Sequence, residues 1–178
     1  RPCLIDLERP VGSEFHGWRV ATALTPASRS AARQCAFGLY RAENYDELID
    51  HPVEMGSFTL GTFIACGVPH EVAISGRHDC DLERLTSDLQ RICEWQIRFF
   101  GEPAPMPHYV FLVTAVGDAY GGLEHRASAA LLCARDDLPY RGMRGTPRRY
   151  QSFLGLCSHE YFHAWNVKRI KPAAFDSY

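Results

Sequence analysis

The sequence predicts an α+β protein, and three observations carry that expectation. Short runs of β-branched and aromatic residues, separated by Pro, Gly and Ser, fill the first 75 residues. One long amphipathic pattern covers residues 81–100, where Leu82, Leu85, Leu89, Ile92, Cys93 and Gln96 follow a 3.6-residue period with charges opposite. A second helical segment, apolar almost all round from Phe153 to Trp165, lies near the end of the chain. With 178 residues, 46% of them hydrophobic, the chain can bury a substantial core.

In chain order, residues 4–7, 18–24 and 35–40 read as strands, and residues 44–52 as a connector with one helical turn at most. Strands are expected again at 57–64 and 70–75. The helix beginning at Asp81 is stopped by residues 101–107, where three prolines follow a glycine. Strands at 108–116 and 128–133 flank a Gly-rich connection. The last helix follows Pro147, with Thr146 expected as its cap. A boundary near 42–52 divides the chain into residues 1–45, the end of an N-terminal β domain, and residues 46–178, the N-terminal part of an α+β domain.

Charge and composition exclude several classes. The net charge is -2 with both signs dispersed, so no nucleic-acid partner is expected. There is no long uncharged apolar run, hence no membrane insertion by a helix. Seven cysteines are scattered without a CxxC pair. Their odd count and apolar neighbours favour reduced thiols packed as small hydrophobes, which leans towards cytoplasm and leaves a periplasmic parent open.

The chemistry is concentrated in Ser158-His159-Glu160-Tyr161-Phe162-His163. Histidines four residues apart lie one above the other on a helix, so both imidazoles can reach one metal ion. Glu160 sits about 100° round the helix from His159, close enough to touch a water on that metal without being a ligand. Zinc would acidify such a water, and Glu160 would take its proton. Three fixed residues recur by chance in roughly one chain in a hundred of this length, so context decides. Gly155, one turn before His159, leaves room on the same face, and Asn166 falls one turn after His163. Two structural core histidines in so apolar a helix would be costly, which favours the metal.

A catalytic zinc site wants three protein ligands. A metzincin would place Gly at 166 and His at 169, where this chain has Asn166 and Arg169, so that class is excluded. The thermolysin-like class takes a glutamate from the next helix, some two dozen or more residues downstream. The one acid after the motif is Asp176, expected in a loop beyond Lys171-Pro172. The expectation is a segment ending after the zinc-motif helix and carrying two of three ligands. A non-catalytic fragment or peptide-binding module lacking the third ligand is one alternative, and a zinc endopeptidase is another.

Two blocks, Tyr120-Gly121-Gly122-Leu123-Glu124-His125 and the run from Ser158 to Pro172, strongly resemble the glycyl aminopeptidase family of metallopeptidases, as does the connector Tyr45-Asp46-Glu47-Leu48-Ile49-Asp50. The resemblance covers about residues 40–178. It implies an N-terminal β domain and a thermolysin-like (gluzincin) catalytic domain, with a C-terminal PDZ domain that has no counterpart here. It also implies peptide substrates with N-terminal Gly or Ala, zinc held by His159 and His163, and Glu160 as general base. Within the first block, Gly121 and Gly122 allow close approach of a substrate backbone, and the following strand could pair with an extended peptide. Glu124 is the candidate for gripping the substrate ammonium, with His125 beside it.

Other charged groups carry less. His16, His51, His70, His78 and His108 are expected as surface groups. Lys168, Arg169 and Lys171 read as favourable charge after a helix C-terminus. Arg141, Arg144, Arg148 and Arg149 belong to a solvated loop, and Cys157 to the core.

Overall fold

The computed structural model describes residues 1–27 and 35–175. The first region is β. Strand β1 (Cys3–Leu7) pairs antiparallel with β4 (Gly38–Ala42), which also pairs with the short β3 (Thr25–Pro26). Strand β2 (Arg19–Thr22) pairs instead with β5 (Val53–Gly56), a strand absent from the sequence expectation. Leu7, Val20, Leu24, Tyr40 and Ala42 form a small core here, with Leu48 and Val53 packed against it. Between β4 and β5 lies the one helical turn expected of the connector, α1 (Tyr45–Ile49), where Asn44 caps by accepting the Glu47 amide at 2.9 Å.

The second region is a five-stranded mixed sheet in the order β6-β7-β8-β10-β9. Strands β6 (Phe58–Ala65) and β7 (Val68–Gly76) form an antiparallel hairpin. Strands β7, β8 (Tyr109–Val116) and β10 (Ser128–Ala134) run parallel, and β9 (Tyr120–Glu124) closes the far edge antiparallel to β10. The parallel β7–β8 step needs a crossover, and α2 (Leu82–Phe100) supplies it. The helix begins one residue after the expected Asp81, which caps it by accepting the Arg84 amide. Leu85, Leu89, Cys93 and Ile97 face the sheet at i,i+4 spacing.

Central β8 is buried at five successive residues, as a strand covered on both faces must be. Tyr109 and Phe111 meet Tyr161 of α3 (Arg148–Phe162), while β2 of the first region also packs against β8. Helices α2 and α3 pack on each other, α2 over β6 and α3 over β10 and β9.

Two expectations are corrected here. Pro147, not Thr146, is the residue before α3, and no side chain caps the helix; the Thr146 hydroxyl instead accepts from Arg84 at 3.4 Å. The Gly-rich connection is itself strand β9, because its edge position tolerates residues that offer no side chain to a core.

Candidate active site

Helix α3 delivers the cluster. His159, Glu160 and His163 bring one ligand atom each within 4.8 Å of one another, and among the described residues no further His, Cys, Asp or Glu joins them. The helix stops at Phe162, and His163 is its C-cap in right-handed conformation, so the i,i+4 relation survives the end of the helix. The two Nε2 atoms lie 3.1 Å apart. His163 donates its Nδ1 hydrogen to the Asn166 carbonyl at 2.6 Å, which leaves its Nε2 as a lone pair. The sequence reading placed Asn166 on this face one helical turn after His163; the helix ends before it, and its backbone carbonyl makes the contact.

Two lone-pair nitrogens pointed at each other repel unless a proton or cation lies against them. Tetrahedral zinc with Zn–N distances of about 2.0–2.1 Å sets its nitrogens about 3.3 Å apart. The observed spacing is close to that, so the imidazole pair fits such an ion. Glu160, only 5% exposed, turns inward beside the pair.

Behind the cluster, α3 is fixed in rotation by three polar contacts. Gln96 of α2 donates to the Ser158 carbonyl and hydroxyl at 2.8 and 2.9 Å. The Tyr161 hydroxyl meets His70 Nε2 at 2.9 Å. Tyr150 donates to Asp88, which also takes Arg84 and Arg91. His70 thus corrects a sequence expectation: it is 1% exposed, stacked on Phe63, and burial pushes its imidazole down to about 4. Cys157 is core as expected, and burial raises its thiol.

Strand β9 forms the other wall. A Cβ on Gly122 would lie 2.6 Å from both Cγ and Cδ of Glu160, so the carboxylate sits directly on the strand backbone. Side chains alternate along a strand, so Glu124, two residues on, stands on the same face as Gly122, towards α3. Gly121 and His125 take the opposite face. Burial raises the pKa of the Tyr109 hydroxyl, which has no hydrogen-bond partner among the described residues, with smaller contributions from Cys93, Cys157, Glu160 and Glu124 in that order. The geometry therefore gathers Gly122, His159, Glu160 and His163, puts Glu124 on the strand face that Gly122 shares, and sets His125 apart.

His125 points to Asp50, with Nδ1 3.5 Å from the carboxylate. Burial lowers the His125 pKa, and Asp50 opposes that shift. Asp50 also accepts the Arg126 amide at 2.9 Å and the Lys168 ammonium at 3.0 Å. Burial alone would raise the Asp50 carboxyl, but these donors outweigh it and hold it below the usual carboxylate range. Arg169 donates to the carbonyls of Arg126, Ala164 and Pro105. Lys168 and Arg169, after α3, thus make specific ties and are not simply favourable charge, while Lys171 is exposed. Sequence reading missed Asp50, Arg126 and Gln96, whose partners in these contacts are 43 or more residues away. The one available signal was Asp50's place in the connector that resembles the family. Arg141 and Arg144 are exposed outside any helix, whereas Arg148 and Arg149, though exposed, form the first turn of α3 and correct the loop expectation, Arg149 pairing with Asp136; Asp176 lies outside the described residues.

Fold and side chains together define a mixed α+β protein with a two-histidine, one-glutamate cluster on a helix beside a glycine-bearing edge strand. Two family models match the chain: the Peptidase M61 N-terminal domain over residues 1–57, and M61 glycyl aminopeptidase over residues 152–178, which span most of α3 and its exit. A crystal structure of an aminopeptidase N family protein from Idiomarina loihiensis is similar over 99% of this chain, with 46% identity and a TM-score of 0.91. The chain spans 29% of the length of that protein's chain. No curated protein matches. At both of its ends the chain is thus similar to M61 glycyl aminopeptidases, and over nearly all of its length to an aminopeptidase N family protein.

Proposed function

We propose that this chain is the metal-binding part of a thermolysin-like zinc aminopeptidase that removes small N-terminal residues, Gly or Ala, from peptides. The observation that carries the reading is the convergence of the His159 and His163 Nε2 atoms next to a buried Glu160 that rests on strand β9. His159 and His163 would hold the zinc, and the third protein ligand that the reading requires comes from outside the described residues. Zinc, when bound, supplies Lewis acidity, making water a better nucleophile and the scissile carbonyl a better electrophile.

The chain's own groups do the rest. Glu160 accepts the proton of the attacking water and passes it to the departing amine. Its low exposure keeps bulk water from competing for that proton. Edge strand β9 offers free backbone groups on its outer side, so an extended peptide can lie along it, with Gly121 and Gly122 leaving space for its backbone. Glu124, on the α3 face of the strand, pairs with the substrate ammonium, which makes a free N-terminus a condition of binding.

The test uses the full-length enzyme loaded with zinc, assayed on glycyl and alanyl peptides with free and with acetylated N-termini. Cleavage only of the free peptides, lost in Glu160→Gln with zinc content unchanged, supports the reading. Equal cleavage of acetylated peptides would make the protein an endopeptidase. No zinc and no hydrolysis would leave a peptide-binding module.

A further inference from the structure

Three segments far apart in sequence meet at one carboxylate. Asp50 ends α1, whose Leu48 is packed into the core of the first β region. One of its oxygens accepts the amide of Arg126, in the turn directly after the Glu124 strand. The other accepts Lys168, on the exit from the histidine helix. Arg169, next to Lys168, closes the circuit by donating to the carbonyl of the same Arg126 at 3.0 Å. The Arg126 peptide is thus gripped at both its N–H and its C=O. The two charged side chains of the Asp50–Lys168 pair are mostly buried, at 16% and 23% exposure, so water does not easily replace either partner.

The geometry has a direct consequence for recognition. Strand β9 is an edge strand held to the sheet on one side only, by β10. Its Glu124 end is tied back to β10 by the His125 amide on the Ser128 carbonyl, and this circuit adds ties to α1 and to the exit of α3. We infer that Asp50 is a positioning residue that fixes the Glu124 hairpin against the exit of the histidine helix, so that the N-terminal β region takes part in recognising the amino end of the substrate. The inference rests on the aminopeptidase reading. It gives the first region a task that its small separate core does not suggest.

Asp50→Ala in the full-length zinc enzyme is expected to raise KM for a glycyl or alanyl arylamide roughly tenfold while lowering kcat much less, with zinc content unchanged. Asp50→Asn, which can still accept the Arg126 amide, is expected to recover part of the loss. Lys168→Met leaves Asp50 in place and should reproduce the KM effect, which covers the case in which the alanine variant does not fold. In the metal-free protein, hydrogen exchange at the Arg126 amide should accelerate about tenfold or more in Asp50→Ala. An unchanged KM in both Asp50→Ala and Lys168→Met, with wild-type enzyme still requiring a free N-terminus, overturns the inference and leaves the aminopeptidase reading intact. Loss of kcat or zinc in place of the KM effect overturns it as well. Wild-type cleavage of acetylated peptides removes the aminopeptidase reading and this role of Asp50 with it. Unchanged Arg126 exchange rejects the grip itself whatever the activity.

Discussion

The two edges of the main sheet meet their helices in the same way and for different ends. On β6, a Cβ at Gly61 would come within 2.8 Å of Thr86 Cγ2 and 3.4 Å of Leu82 Cδ2 on α2. On β9, a Cβ at Gly122 would run into Glu160 of α3. Each glycine lets a helix approach an edge strand closely. At Gly61 the approaching atoms are mostly apolar, and β6 alternates buried and exposed residues like an ordinary structural edge. At Gly122 the approaching group is a carboxylate, and β9 buries none of its five residues fully. One edge is built for packing, while the other lies against a buried carboxylate.

Substitutions along the two edges can break that contrast. The largest effect is expected from Glu160→Gln, which should lower kcat of the full-length enzyme roughly 10³-fold at constant zinc content. A smaller loss would take the general base away from Glu160. Next comes Gly122→Ala, which displaces the Glu160 side chain and should lower kcat roughly 10²-fold while the thermal midpoint moves little. Normal activity in that variant would mean that Glu160 does not work from its seat on β9. The parallel change on the other edge, Gly61→Ala, should do the reverse. It is expected to cost about 1–3 kcal/mol of stability by overpacking against Thr86, read by urea unfolding, with zinc content and kcat per folded molecule unchanged.

The smallest effect concerns pH. His70 is buried neutral, its pKa lowered from 6.5 to about 4 by burial. A histidine depressed in this way binds fewer protons folded than unfolded below pH 6.5. Its stabilising contribution is therefore complete above that pH and falls away as the pH drops towards 4, by at most roughly 3 kcal/mol. His70→Gln should flatten the stability profile between pH 6.5 and 4; an unchanged slope would assign acid sensitivity to other groups.

Legibility in the sequence follows the range of the interactions. Helix α2 was readable from a 3.6-residue period and the Gly and Pro stop after Phe100, because both are local. The His159–Glu160–His163 cluster was readable because helical geometry alone brings i and i+4 together. Strand β9 was not, since its glycines speak for a turn until β10 pairs with them. His70 looked like a surface group because nothing near it in sequence announces Tyr161, 91 residues away. The basic run after α3 looked like favourable terminal charge because its partner Asp50 lies 118 residues back.

The sequence by itself determined the α+β class, the two long helices and the three residues that converge on α3, since each depends on neighbours within one or two helical turns. Tertiary structure alone decided that β9 lies against Glu160, that Glu124 shares the face of Gly122 while His125 turns to Asp50, and that Asp50 meets both the turn after β9 and the exit of α3. Those choices depend on which distant segments pack together, and no local spacing encodes them.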